Sequence, residues 1–174
     1  MTVDEFFEKS VGEWSSQRSS HNLAWAQFEA ITSDITITKK TANDDEVVSL
    51  CRQHEIAVEE TDVSIAMSWE GESDWDEDEV MEGTAVMSVV KDGPANGRLL
   101  RSVGYAETIP AVGKWEMTED GVFVLHTFYE AAAAEERIWF ATPNLRMRVS
   151  LIRTSSGNGV VTASFSTEIR KLRP

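Results

Sequence analysis

The chain has one cysteine, Cys51, in 174 residues. No internal disulfide can form, and a reducing compartment suits that composition. Cationic residues are scarce: 16 Lys and Arg stand against 30 Asp and Glu, a formal charge of −14. Such acidity excludes nucleic acid as the main partner, because phosphate neutralisation needs surplus Lys and Arg, and it disfavours an anionic membrane surface. No apolar run approaches the roughly 20 residues of a membrane-spanning helix. Histidine is sparse too. His21, His54 and His126 lie far apart and show no HExxH or CxxC-like spacing, so no metal site is expected. The N-terminal M-T-V-D-E-F-F-E-K is acidic and amphipathic, unlike a signal or transit peptide. The length fits one domain, residues 1–174, with a sizeable core.

What the chain does have is alternation. Glu136–Arg153 reads as two strands joined by a turn at Thr142-Pro143-Asn144, where proline fixes φ and Asn tolerates the left-handed region. After the turn, Leu145, Met147, Val149 and Leu151 point one way, and Arg146, Arg148 and Ser150 point the other. Two guanidiniums and a hydroxyl on one face suit a carboxylate or phosphate. The same face could equally be the solvated outside of a sheet. The last strand, Val160–Arg170, repeats the puzzle. Val161, Ala163, Phe165 and Ile169 make its apolar face, and Thr162, Ser164, Ser166 and Glu168 its polar face. Periodicity alone does not choose between them.

The remaining chain supplies the setting. Thr2 and Glu5 predict a capping box for a short helix whose Val3, Phe6 and Phe7 must pack on something, a barrel end being one candidate. Gly12-Glu13-Trp14 resembles the G-x-W that enters the first strand of lipocalin-type barrels. Asn22–Ala30 reads mostly as strand, as does Ile31–Lys39. Asn43 is the expected cap of a second helix with Val47, Leu50, Cys51 and His54 on one face, Cys51 being a small buried hydrophobe. Val63–Glu70 is a strand with Met67 and Trp69 on one face. Glu72–Glu82, dense in carboxylates, reads as a solvated loop without the frame of a calcium loop; Trp75 within it is a lid residue or a stray aromatic. Strands follow at Thr84–Lys91, Arg98–Ile109, Lys114–Thr118 and Val122–Glu130, with Ala131–Glu135 a linker and 154–159 a loop. About ten antiparallel strands with two short helices near the N-terminus predict an all-β barrel or sandwich, and a barrel of this size holds one small ligand.

Three stretches are then recognisable. F-F-E-K-S-V-G-E-W-S-S-Q-R-S-S-H (Phe6–His21), G-R-L-L-R-S-V-G-Y-A-E (Gly97–Glu107), and E-R-I-W-F-A-T-P-N-L-R-M-R-V-S with T-A-S-F-S-T-E-I-R resemble the S-type phycobiliprotein lyases, the CpcS/CpeS family. The likeness covers nearly the whole chain and is weakest at Glu72–Glu82. It implies a ten-stranded antiparallel barrel like lipocalins and fatty-acid-binding proteins. It implies non-covalent binding of a phycobilin, by overall likeness phycoerythrobilin, and its delivery to a cysteine of a phycobiliprotein subunit such as phycoerythrin. The bilin is then substrate, and no cofactor is expected. Propionates call for Arg18, Arg146 and Arg148, with Ser150 as a further donor. Protonated pyrrole nitrogens call for a carboxylate, Glu168 first and Glu136 second, in a catalytic role. Met67, Trp69 and Trp75 would press on the conjugated system. The thiolate comes from the acceptor, consistent with Cys51 being buried. Cyanobacterial cytoplasm or an algal plastid is the implied location, and a homodimer or a heteromer stays open. The competing reading is a non-catalytic carrier of a bilin or fatty acid.

Overall fold

The structure, a computed structural model, describes residues 1–104, 109–154 and 159–172, and of residues 76–79 the backbone alone. A helix α1 (Val3–Ser10) leads into β1 (Gly12–Asn22) and β2 (Gln27–Lys40). A second helix, α2 (Asp45–Gln53), and a 3-10 turn (Val58–Glu60) follow. Then come β3 (Val63–Ser73), β4 (Asp76–Lys91), β5 (Asn96–Arg101), β6 (Ala111–Met117), β7 (Phe123–Phe128), β8 (Ala132–Thr142), β9 (Leu145–Thr154) and β10 (Val160–Arg170). Each strand pairs antiparallel with the next, and β1 pairs with β10, so the sheet closes into a ten-stranded barrel.

Helix α1 shuts one end. Its capping box forms as the sequence predicts: the Glu5 amide donates to Thr2 Oγ1 at 3.2 Å, and the Thr2 amide donates to Glu5 Oε2 at 2.8 Å. Val3, Phe6 and Phe7 are buried, and Phe6 stacks on Phe123 with centroids 4.9 Å apart. Burying each such side chain stabilises by about 1.5–3 kcal/mol. Trp14 lies under the helix, fully buried, its indole N–H donating to the Ser10 carbonyl. Arg170 ties the helix down by donating to the carbonyls of Lys9 and Val11, where the macrodipole favours a cation. At the other end the inward residues Arg18, Ser20, Ile152 and Thr162 stay half-buried, and among the described residues no helix covers them.

Several expectations need correction. Asn22–Ala30 is mostly strand, as expected, with Asn22 ending β1 and residues 27–30 opening β2, but residues 23–26 make the β1–β2 turn and expose Leu23 and Trp25. Glu72–Glu82 is not a loop. It is the end of β3 and much of β4, because both strands lengthen together to satisfy each other's backbone. Ala131–Glu135 is not a linker but the start of β8, paired with β7 and β9. The second helix is capped at Asp44 rather than Asn43. The Thr142–Asn144 turn forms as expected, but Asn144 is not among the described residues with positive φ. Arg98–Ile109 is strand only through Arg101, and residues 105–108, within the quoted Gly97–Glu107 stretch, lie outside the described residues, as do 155–158 of the expected 154–159 loop. Helix α2 packs outside the barrel, where Val47, Leu50 and Cys51 meet Val90 and Leu100. Burial, with Glu59 and Glu60 nearby, pushes the Cys51 thiol up.

Candidate functional site

Closure of the barrel decides the question that periodicity leaves open. The polar faces of β9 and β10 point inward, and Leu145, Met147, Val149, Phe165 and Ile169 point out. Strand register stacks the inward side chains in rows. Ser16, Glu168, Arg146 and Phe140 are successive partners across β1, β10, β9 and β8. One row towards the open end lie Arg18, Ser166, Arg148 and Ile138. Beyond them come Ser20, Ser164, Ser150 and Glu136. The opposite wall, on β2 to β7, is mostly apolar, with Ile35, Ile37, Ile65, Met87, Leu99 and Leu125 beside Met67 and Trp69, and carries Arg101 and Thr127 at its edge. The interior therefore has one charged side and one greasy side.

The charged residues form a chain of alternating sign. Arg101 Nη1 lies 2.8 Å from Glu136 Oε2, and Arg148 Nη1 lies 3.3 Å from Glu136 Oε1. Arg148 Nε lies 3.5 Å from Glu168 Oε1, and Arg146 Nε donates to Glu168 Oε2. Glu136, Glu168 and Arg146 are each about 2 % exposed. Burial pushes the Glu168 carboxyl up, but the charges of Arg148 and Arg146 and the hydrogen bond from Arg146 outweigh it. The carboxyl is held below its usual range and is ionised at neutral pH. Burial also lowers Arg146 against the opposing pull of Glu168. The Arg146 guanidinium stands over the Trp14 ring, 4.8 Å from its centroid.

A buried ion-pair network is poor stability engineering, because desolvation consumes most of the Coulomb attraction. Its leftover valences are informative. Arg18 Nε, Arg101 Nε, Arg146 Nη2 and Ser150 Oγ are buried with no hydrogen-bond partner among the described residues. Buried donors of that kind mark where another molecule's acceptors fit. Among the described residues, Arg18, Arg101, Arg146 and Arg148 against Glu136 and Glu168 leave two positive charges over, which matches a dianion.

The structure thus gathers Arg146, Arg148, Ser150, Glu136 and Glu168 on one wall, with Arg18 across Ser166 from Arg148. It puts Met67 and Trp69 on the facing wall. Trp69 lies flat on β4, where only Gly83 leaves room: a Cβ there would come within 2.3 Å of the indole. Trp75 is not inside. It sits at the β3–β4 turn on the open rim, 56 % exposed, its indole N–H donating to the Phe28 carbonyl at 2.7 Å. Sequence reasoning misses Arg101. The signal was available, since Leu99 and Arg101 share a parity and therefore a face. The space between the walls is about 40 Å³, room for a water or two. A larger guest enters by displacing side chains, the flexible Met67 and Met87 first.

A family profile described as "CpeS-like protein" matches residues 2–171. The chain is 54 % identical over 172 residues to a protein of Trichodesmium erythraeum named chromophore lyase CpcS/CpeS 3, covering 98 % of this chain and 99 % of that one. It is 32 % identical over 169 residues to the phycocyanobilin lyase subunit CpcS of Picosynechococcus, covering 95 % and 85 %. The solved S-type phycobiliprotein lyase CPES of Guillardia theta is 56 % identical, superimposes with a TM-score of 0.90, and is matched over 100 % of this chain and 95 % of that one.

Proposed function

This chain belongs to the CpeS-like family, and on that premise we propose that it is a bilin chromophore lyase. It binds an open-chain tetrapyrrole non-covalently and hands it to a cysteine of a phycobiliprotein subunit as a thioether. The observation that carries this reading is the two-sided interior: an apolar wall for the conjugated rings facing guanidiniums that carry two surplus positive charges. A bilin has that chemistry, with two propionates on an otherwise apolar ribbon. We favour phycoerythrobilin as the bilin and phycoerythrin as the acceptor, in line with a relative of 44 % identity from Microchaete diplosiphon whose name proposes a phycoerythrobilin lyase. The whole chain acts as one bilin-binding domain, in the compartment where phycobiliproteins are made. A homodimer would use the outer face of β9 and β10, where Phe165 and Ile169 stand exposed.

The mechanism is an exchange of partners. Propionates take guanidinium donors that Glu136 and Glu168 now hold. Glu168, released from Arg146 and still buried, turns to the pyrrole N–H groups. With less positive charge beside it, its carboxyl climbs back towards proton-accepting strength. Its charge favours the protonated, cationic bilin, whose ring-A ethylidene carbon is the more electrophilic. The acceptor thiolate adds there: a C–S bond forms, the exocyclic double bond becomes single, and the displaced electron pair takes up a proton on the ring. No oxidant or reductant is consumed, and the bilin is substrate rather than resident cofactor. Cys51, on the outside of the wall under α2, takes no part.

A visible-absorption titration with phycoerythrobilin tests this. The wild type develops an intense red-shifted band that saturates at equimolar bilin. Arg146→Ala weakens binding about tenfold to a hundredfold, the worth of a charge-assisted hydrogen bond. Glu168→Gln keeps the band and loses transfer. No spectral change with any bilin refutes the assignment. Transfer no faster than the spontaneous addition of free bilin reduces the protein to a carrier.

A further inference from the structure

The β1–β2 and β3–β4 hairpins stand side by side at the open end and are stitched together. The Ala30 amide donates to Asp74 Oδ1 at 2.8 Å, Ser73 Oγ donates to Glu29 Oε1 at 2.6 Å, and Trp75 Nε1 donates to the Phe28 carbonyl. On this joined tip Leu23, Trp25, Phe28 and Trp75 are 55 %, 73 %, 49 % and 56 % exposed. The turn holds Ala26 at φ +52°, a conformation that L residues adopt at a cost, and Trp25 is thrust outward beside it. Across the mouth Phe128 is 70 % exposed. An aromatic side chain carries roughly 150–250 Å² of surface, so the four tip residues together expose on the order of 500 Å². The largest apolar patch of a monomer is of about that size and is often functional.

The surface beneath the tip has one sign. No Lys or Arg occurs between Arg18 and Lys39, or between Arg52 and Lys91. On the outer face of β2, β3 and β4, exposed Asp34, Glu70 and Glu82 are direct cross-strand partners. Like charges in register destabilise a sheet, and Lys171 relieves only Asp34. The outer flank is thus acidic at a cost to the fold.

We propose that this aromatic tip and its acidic flank are the docking surface for the acceptor protein, gripping a patch where the reactive cysteine is bordered by apolar side chains and by Lys or Arg. The inference rests on the lyase reading above and names where its second substrate binds. Helix α1 blocks the far end, so among the described residues the way in for a thiol is the opposite mouth, and whatever carries it must touch the rim. The size of the patch fits a transient partner. A stable second copy needs about 800 Å² on each side.

The test uses the whole protein, phycoerythrobilin and an apo-phycobiliprotein subunit, with two variants: W25S combined with L23S, and E70K combined with E82K. Neither pair lies in the bilin site. Both variants take up bilin with the wild-type band and reach the wild-type maximal rate of transfer. The acceptor concentration for half-maximal transfer rises about tenfold or more, as expected when a central Trp is truncated. Added salt raises that concentration for the wild type and scarcely alters it for E70K/E82K. If wild type and variants transfer with the same acceptor dependence, the docking proposal is overturned while the lyase assignment stands. If W25S/L23S instead changes the sedimentation of the lyase alone, the tip is a self-interface and the proposal fails. A wild type that neither binds bilin nor transfers it refutes the function and this inference together.

Discussion

Arg146→Met keeps most of the length and apolar bulk of the side chain and deletes its charge. Glu168, 2 % exposed, then loses the partner of Oε2 and keeps only Arg148 at 3.5 Å. Breaking a buried pair from one side costs about 3–5 kcal/mol, because an ion is left desolvated. The surviving Arg148 puts the expected loss at the lower end, about 3 kcal/mol. Adding Glu168→Leu removes the stranded charge, and the double variant recovers at least about 1 kcal/mol of that loss. The pH dependence carries the sharper signature. In the wild type the Glu168 carboxyl is depressed, so its contribution is present above the unfolded value of about 4.3 and fades as pH falls through its lower folded value. Burial is the largest influence on this group, larger than the charge of Arg148 alone. Without Arg146 the carboxyl therefore rises above its ordinary range. The sign then reverses, and the variant gains stability as pH falls from neutrality towards about 5. Urea unfolding with linear extrapolation between about pH 4 and pH 8 reads both effects. A variant within about 0.5 kcal/mol of wild type, with the same acid limb, would refute the reasoning.

Three other outcomes are expected. Gly83→Val forces Trp69 off β4, costing about 1–3 kcal/mol and shifting the tryptophan emission; unchanged emission would show that Trp69 does not depend on that contact. Thr2→Ala removes the side-chain half of the capping box and costs about 1 kcal/mol in urea unfolding, while Thr2→Ser restores it; equal stability of all three would mean that α1 is held by its aromatics alone. Cys51 reacts with a thiol reagent only as fast as the protein opens, because it is buried with its thiol pushed up; rapid labelling of the native protein would contradict the packing of α2.

The strands and both helices could be read from residue pattern because alternation and capping are local signals. Thr2 and Glu5 announce α1, and the Arg146–Leu151 alternation announces β9. Which face of β9 points inward was not local information. A strand with Arg146 and Arg148 on one side and Met147 and Val149 on the other satisfies the period either way. Only the pairing of β1 with β10 turns the arginines inside. The misreadings share a cause. Leu23 and Trp25 were taken for strand because hydrophobic side chains usually seek burial, and here they are exposed at a turn, whereas Phe28 lies in β2 as read. The carboxylates from Glu72 to Glu82 were taken for a loop because repulsion argues against strand, yet β3 needs a partner along its whole length. Arg101 was missed because it lies beyond Leu99 and Leu100, in a stretch read for its apolar content.

The strands of this barrel differ widely in length. β2 and β4 have 14 and 16 residues, while β5, β6 and β7 have 6, 7 and 6. The guanidinium wall sits on β9 and β10, 10 and 11 residues long, beside the 11-residue β1. The apolar wall it faces includes the short strands, whose few ladder bonds make them the compliant side. The yielding part of that wall is small: it carries Leu99 and Leu125, and also Arg101 of the charged network, whereas Ile35, Ile37, Ile65 and Met87 stand on the long strands. In the proposed reading, a guest's carboxylates meet β9 and β10 while its body lies against both the long and the short strands.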